Sequence, residues 1–158
     1  MKSNEMESLV ITEIETEAIP PYFLLELADP SRSMIDTYLA TGHCFLARQA
    51  EKTIGVIVLN AINPGTIKIM NVAVAESKQG QGLGKRLLYF AEQWSRDQGY
   101  FRLRIGTGNS SIQQLALYQR QGFEIMGIER DFFTKHYPEP IIENGIPCRH
   151  KILLEKLL

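Results

Sequence analysis

The sequence predicts an α/β domain built on a mixed, mostly antiparallel sheet of about six or seven strands with helices on both faces. Two observations carry this. Short β-branched or apolar runs are interleaved with stretches of helical periodicity along a single chain. One of those runs, Thr66–Ala75 (TIKIMNVAVA), leads through a glycine cluster into an amphipathic stretch, which defines a strand–turn–helix unit.

Taken in order, Leu9–Glu13 (LVITE) alternates weakly and reads as an edge strand. Tyr22–Ala28 follows Pro20-Pro21 as a short helix that Pro30 breaks. Ser31 or Ser33 caps a second short helix, Met34–Ala40, with Gly42 as its stop. His43–Ala50 and Thr53–Ala61 form a hairpin about the charged pair Glu51-Lys52. Asn63-Pro64-Gly65 is a turn, and the second half of Thr66–Ala75 is apolar enough for a strand buried on both faces. Beyond Gly80, Gly82 and Gly84, residues Leu83, Leu87, Leu88, Ala91 and Trp94 share one helical face, and Gly99 ends that helix. Phe101–Ile105 is a strand and Gly106–Asn109 a loop. Ser110 or Ser111 caps a helix running to about Gln121, closed by Gly122. Phe123–Ile128 is a strand, Asn144-Gly145 a turn, and Cys148–Leu154 the last strand. The unit Thr66–Ile105 is expected to cross over right-handed.

The chain of 158 residues fits a single domain spanning residues 1–158. With 17 Lys+Arg against 18 Asp+Glu, its formal net charge of −1 lacks the basic balance of a nucleic-acid binder. Any phosphate site is therefore local. Cys44 and Cys148 match no zinc or CxxC spacing, and His43, His136 and His150 lack metal-site spacing, so no metal is expected. Met1–Ser8 is polar and charged, without the apolar region of a leader, and no apolar run approaches the roughly 20 residues of a membrane helix. A cytoplasmic location follows as the default.

The most informative stretch is Gln79-Gly80-Gln81-Gly82-Leu83-Gly84-Lys85. A helix start presents unpaired N–H groups and the positive end of the helix dipole, which suits an anion. Glycines admit positive φ and let the backbone approach a phosphate. Lys85 and Arg86 place cations at the end of the helix where they are unfavourable, a conflict that a bound polyanion removes. Two familiar phosphate motifs fail here. A P-loop needs Gly six residues before Lys85 and Ser or Thr after it, but the chain has Gln79 and Arg86. GxGxxG fails from Gly80 at Lys85 and from Gly82 at Leu87. Alone, the stretch also admits a ligand-free turn, since three alternating glycines are a weak signal.

It does not stand alone. The pattern Q-x-x-G-x-G of Gln79, Gly82 and Gly84 follows Asn71-Val72-Ala73-Val74. After a further helix and strand come Asn109 and then Leu115–Phe123 (LALYQRQGF). Together these resemble the acetyl-CoA signature and second block of the GCN5-related N-acetyltransferases (GNAT), over about Thr53–Ile128. The resemblance implies an acyl-CoA N-acyltransferase fold with acetyl-CoA as cosubstrate. It implies that backbone groups of Val72 and Val74 hold the pantetheine arm and polarise the thioester carbonyl. It further implies that Gln79, Gly80, Gln81, Gly82, Leu83, Gly84 and Lys85 bind the pyrophosphate, that the Asn109 side chain bonds the pantetheine, and that Tyr118 is the general acid for the departing thiolate. Tyr118 on an amphipathic helix also fits a plain core residue, and Asn109 a loop or cap residue.

Many members of that family deprotonate the amine with a Glu on the cofactor-lining strand. Here that strand carries no acid, and Glu26, Glu129, Asp131 and His136 are the candidates left. The segment Asp131–Pro147 is long for a loop and holds Phe132, Phe133, His136 and Tyr137, as a substrate wall or as a surface or subunit contact. The expected reaction is acetyl transfer to a primary amine of a small molecule, peptide or protein, by direct attack in a ternary complex. Transfer of another acyl group and a non-catalytic acyl-CoA-binding module are the competing readings. The partners implied are the amine acceptor and, by base rate, a second copy in a homodimer, with no nucleic acid and no membrane.

Overall fold

The computed structural model describes residues 8–158. The reading of the first residues as free of a leader therefore lies outside the described residues, Ser8 excepted. The elements run β1 (Val10–Glu13), α1 (Tyr22–Ala28), α2 (Arg32–Thr41), β2 (His43–Gln49), β3 (Lys52–Asn63) and β4 (Thr66–Val74). A single 3-10 turn, Glu76–Lys78, precedes α3 (Leu83–Asp97), β5 (Arg102–Gly108), α4 (Ile112–Arg120) and β6 (Glu124–Glu129). Then come α5 (Phe132–His136), β7 (Ile142–Glu143), β8 (Ile146–Pro147) and β9 (Lys151–Leu157). Among the described residues, seven strands form one sheet in the order β1-β2-β3-β4-β5-β9-β6, and β7 pairs with β8 in a separate hairpin. The pairs β1–β2, β2–β3, β5–β9 and β6–β9 are antiparallel. The chain groups into two compact units, one reaching to Ala61 and resuming over Ile69–Trp94, the other comprising Ile62–Lys68 and Ser95–Leu158.

In the first unit, strand alternation sorts the side chains into two layers. Cys44, Leu46, Val56, Val58 and Ala73 pack with Leu24 and Leu25 of α1 and Ile35 and Tyr38 of α2. On the opposite face, the Phe45 ring lies 4.9 Å from Phe90 and 5.1 Å from Trp94 of α3. Helices thus cover both faces of β2 and β3, as the apolar runs in these strands require. The hairpin turn falls one residue earlier than the sequence indicates. Lys52 pairs with Gln49, and Ala50 and Glu51 form the bend at φ +49° and +66°. Two left-handed residues match the right-handed twist of the strands, even without glycine or asparagine there.

Two further expectations are corrected in this unit. Along β4, buried Ile67, Ile69, Asn71 and Ala73 alternate with half-buried Lys68, Met70, Val72 and Val74, so the strand is not fully buried at every position. Gly42 does end α2, but in an extended conformation with φ −93° and ψ 172°. It is needed for space, since a Cβ there would fall 2.6 Å from the Tyr38 carbonyl and collide with Asn60 Oδ1.

In the second unit, α3 and α4 end by the same device. Gly99 and Gly122 take φ +91° and +94°. The amides of Tyr100 and Phe123 reach back to the carbonyls of Ser95 and Tyr118, each at 3.0 Å. This pairing with a left-handed glycine closes the last turn, and both stops were legible in the sequence. The expected loop Gly106–Asn109 is instead the end of β5, with Gly106, Thr107 and Gly108 opposite Leu153, Ile152 and Lys151. A Cβ at Gly106 would lie 2.5 Å from Lys151 Cε, and one at Gly108 would meet Cys148 Sγ, so these glycines serve close packing rather than a turn. The last strand starts at Lys151, not Cys148. Asp131–Pro147 is not a structureless loop, because it contains α5 and the β7–β8 hairpin. That hairpin turns on Asn144 and Gly145 at φ +55° and +72°.

Candidate acetyl-CoA site

From Ile69 to Trp94, the strand–turn–helix stretch of β4 and α3 lies within the first unit. β4 ends at Val74, and the Ala75 amide donates to the Ile54 carbonyl at 2.8 Å, which fixes where the chain leaves the sheet. The 3-10 turn then carries it to Gln79, whose side-chain Nε2 donates back to the Val74 carbonyl at 3.0 Å. Gly80 and Gly82 follow at φ +77° and +81°, and a Cβ on either would meet nothing within 4 Å. Their glycine identity is therefore a matter of backbone conformation and not of crowding. The first α3 bond of this helix start runs from the Arg86 amide to the Gly82 carbonyl at 3.1 Å. The amides of Leu83, Gly84 and Lys85 precede it, in the turn where a helix has no acceptors of its own. Gln79 to Gly82 are exposed, as are Lys85 and Arg86. The result is an open, amide-rich and locally cationic loop beside the half-buried face of Val72 and Val74.

The second unit holds the other expected residues. Asn109 follows β5, and its amide is bonded at both ends. Oδ1 accepts from the Arg149 and His150 amides at 2.8 Å and 2.9 Å, and Nδ2 donates to the Pro147 carbonyl at 3.1 Å. Tyr118 is buried on α4, with its ring 6.2 Å from that of Phe123. Burial pushes its phenol well above the ordinary tyrosine range, so it is protonated throughout the neutral range. Ser111 takes the cap position of α4 without capping it, and its hydroxyl donates to Glu143 at 3.2 Å.

The candidate bases are scattered. Glu26 is paired with Arg32 at 2.6 Å, and Asp131 with Arg149 at 3.1 Å. The His136 ring lies tilted against Phe132 with centroids 4.6 Å apart, and Glu129 ends β6 in an exposed position. Neither thiol is prepared as a nucleophile. Burial raises Cys44 to about 11, with Glu13 adding to the shift, and burial also raises Cys148.

Sequence reasoning missed one buried polar array in the first unit. Asn71 on β4 donates from Nδ2 to the Leu25 carbonyl and to the Tyr38 phenol oxygen, both at 2.9 Å. Tyr38 donates in turn to Asp29 Oδ2 at 3.2 Å. The one signal available was an asparagine in an otherwise apolar strand half.

The comparisons with known proteins bear directly on this geometry. Residues 11–123 match the model of the Acetyltransferase (GNAT) family. The chain is 48% identical over 133 residues to the uncharacterized N-acetyltransferase YvbK of Bacillus subtilis, covering 84% of this chain and 86% of that one. A GNAT family acetyltransferase from Elizabethkingia anophelis, solved with acetyl-CoA bound, superposes with a TM-score of 0.95 at 45% identity, over 96% of this chain and 99% of that one. A Bacillus subtilis acetyltransferase in complex with CoA gives 0.90 at 45% identity with the same coverage. The chain belongs to the GNAT family of acetyltransferases. As a member it is an acyltransferase with acetyl-CoA as its cosubstrate.

Proposed function

We propose that the chain acetylates a primary amine of a small molecule, peptide or protein, with the pyrophosphate of acetyl-CoA held by the backbone from Gln79 to Lys85. The observation that carries this reading is the pair Gly80 and Gly82 at positive φ, with open space about both, at the start of a helix flanked by Lys85 and Arg86. Amide dipoles and cations converge there with no side chain in the way, which is what a diphosphate requires.

In this reading the backbone of Val72 and Val74 holds the pantetheine, and an N–H near Val74 polarises the thioester carbonyl. The amine lone pair attacks the carbonyl carbon in a ternary complex, the C–S bond breaks, and the thiolate takes the Tyr118 proton. The proton released by the new amide nitrogen leaves through solvent and restores the phenol. Asn109 clamps residues 147–150 through Oδ1 and one Nδ2 hydrogen, and its second Nδ2 hydrogen bonds the pantetheine in this reading. A cytoplasmic setting belongs to the proposal. Among the described residues, no helix is long and apolar enough to cross a membrane.

Calorimetry with acetyl-CoA, followed by CoA-thiol release with spermidine, a lysine peptide amide and an aminoglycoside, tests the reading. Micromolar binding and release with at least one amine are expected. No binding returns Gln79–Lys85 to an ordinary strand-to-helix turn.

A further inference from the structure

The Asp29–Tyr38–Asn71 array has a feature that stability does not explain. Asn71 is 3% exposed, and its buried Oδ1 meets no hydrogen-bond donor among the described residues. The orientation of the amide is fixed by chemistry, because the Leu25 carbonyl only accepts and so must face Nδ2. Nor does either neighbour need the amide. The Leu25 carbonyl also accepts from the Asp29 amide at 3.1 Å, and the Tyr38 phenol keeps Asp29 as its acceptor at 3.2 Å. A leucine at position 71 would leave no donor or acceptor newly stranded and would remove one that already is. A buried polar side chain that the fold could do without is retained for something else.

What the amide does is join three elements. From β4 it holds the carbonyl at the C-terminal end of α1 and the phenol of α2, one residue before Val72. Hydrogen bonds with fixed donors and acceptors set a distance and an angle, which apolar packing among Leu24, Leu25, Ile35 and Val58 does not. Asp29 is anchored independently by the Ser31 amide at 3.0 Å, so the loop from α1 to α2 is part of the same frame.

We propose that Asn71 is a positioning residue for the acetyl transfer: through Tyr38 and Leu25 it sets the α1–α2 hairpin against the strand that carries the thioester, and so fixes how the acceptor amine is presented. The proposal rests on the reading that β4 lines the cofactor. Its effect is on the amine and not on acetyl-CoA, since the Asn71 side chain faces α1 and α2 while the cradle begins at Gln79.

Asn71→Leu is the test, with Tyr38→Phe as the second variant should the first not fold. Three quantities are measured on the full chain: melting temperature, acetyl-CoA affinity by calorimetry, and CoA-thiol release with spermidine, a lysine peptide amide and an aminoglycoside. Asn71→Leu is expected to melt at or above wild type and to bind acetyl-CoA within twofold. It is expected to lose tenfold or more in kcat/KM for the amine, mostly in KM. A purely structural residue would lower the melting temperature and leave kcat/KM alone, and that result overturns the proposal. Equal loss of acetyl-CoA affinity also overturns it. Wild-type protein that binds no acetyl-CoA or acetylates none of the three amines removes the underlying reading, and the proposal with it.

Discussion

The side-chain amide of Gln79 reaches back 3.0 Å to the main-chain carbonyl of Val74 and closes the loop between β4 and α3. The bond ties the first residue of the glycine loop to the last residue of the strand. Residues Ala75–Lys78 then have one path rather than many. A polyanion binding the loop meets amides already in place, and less ordering is left to the moment of binding. Replacing Gln79 by Ala removes the tie without touching a phosphate contact. Acetyl-CoA affinity is expected to weaken by roughly 2- to 10-fold, in line with the net worth of one hydrogen bond. Calorimetry on the variant checks this, and unchanged affinity would show that the loop holds its shape without the bond.

Gly82 separates conformation from charge. It sits at φ +81°, and a Cβ added there would meet nothing within 4 Å. Gly82→Asn is therefore tolerated better than most substitutions, because asparagine visits the left-handed region. Gly82→Asp has nearly the same shape and adds a negative charge beside the proposed pyrophosphate. The aspartate variant is expected to abolish acetyl-CoA binding, while the asparagine variant retains part of it. If both variants bind alike, the phosphate does not sit at this turn.

Tyr118→Phe removes only the phenol oxygen from a buried ring that packs near Phe123. As the proposed acid it should lower kcat by about 10²-fold or more and leave acetyl-CoA affinity unchanged. Turnover equal to wild type in steady-state assays would return Tyr118 to a core role.

Asn109→Ala frees the amides of Arg149 and His150 and the carbonyl of Pro147. These groups are partly solvated, so a loss of about 1–2 kcal/mol is expected rather than the full penalty of buried orphans. Urea unfolding measures it. Acetyl-CoA affinity is expected to fall as well, because the second Nδ2 hydrogen is proposed to bond the pantetheine, and unchanged affinity would limit Asn109 to the clamp.

Stability should fall in alkali. The phenols of Tyr38 and Tyr118 are raised above 10.0, and the Cys44 thiol is raised from 9.0 to about 11, chiefly by burial. Each group keeps its proton in the folded chain at a pH where the unfolded chain has lost it. Folded protein then binds more protons, and unfolding becomes easier as pH rises. The urea midpoint is expected to hold steady to about pH 9 and to decline beyond it, with Cys44→Ala flattening the early part of the decline. A midpoint that does not move between about pH 9 and 11 would contradict these burial-driven shifts.

The sequence by itself determined what depends on neighbours along the chain. The left-handed glycines Gly99 and Gly122 stop their helices wherever those helices pack, and Asn144-Gly145 makes a hairpin turn from its own torsional preferences. The glycine loop from Gln79 to Lys85 is equally local, which is why its pattern and the family it marks were legible. Only the tertiary structure decided what depends on distant partners. Gly106 and Gly108 look like loop residues until β9 lies beside them, and Gly42 looks like a left-handed helix stop until Tyr38 and Asn60 fill the space around its extended backbone. Ser111 has a capping side chain that Glu143 takes instead. Asp29, Tyr38 and Asn71 form one array across up to 42 positions of sequence, 71 less 29. No periodicity or spacing encodes such a meeting, because side-chain hydrogen bonds are short and the chain between them is free to vary.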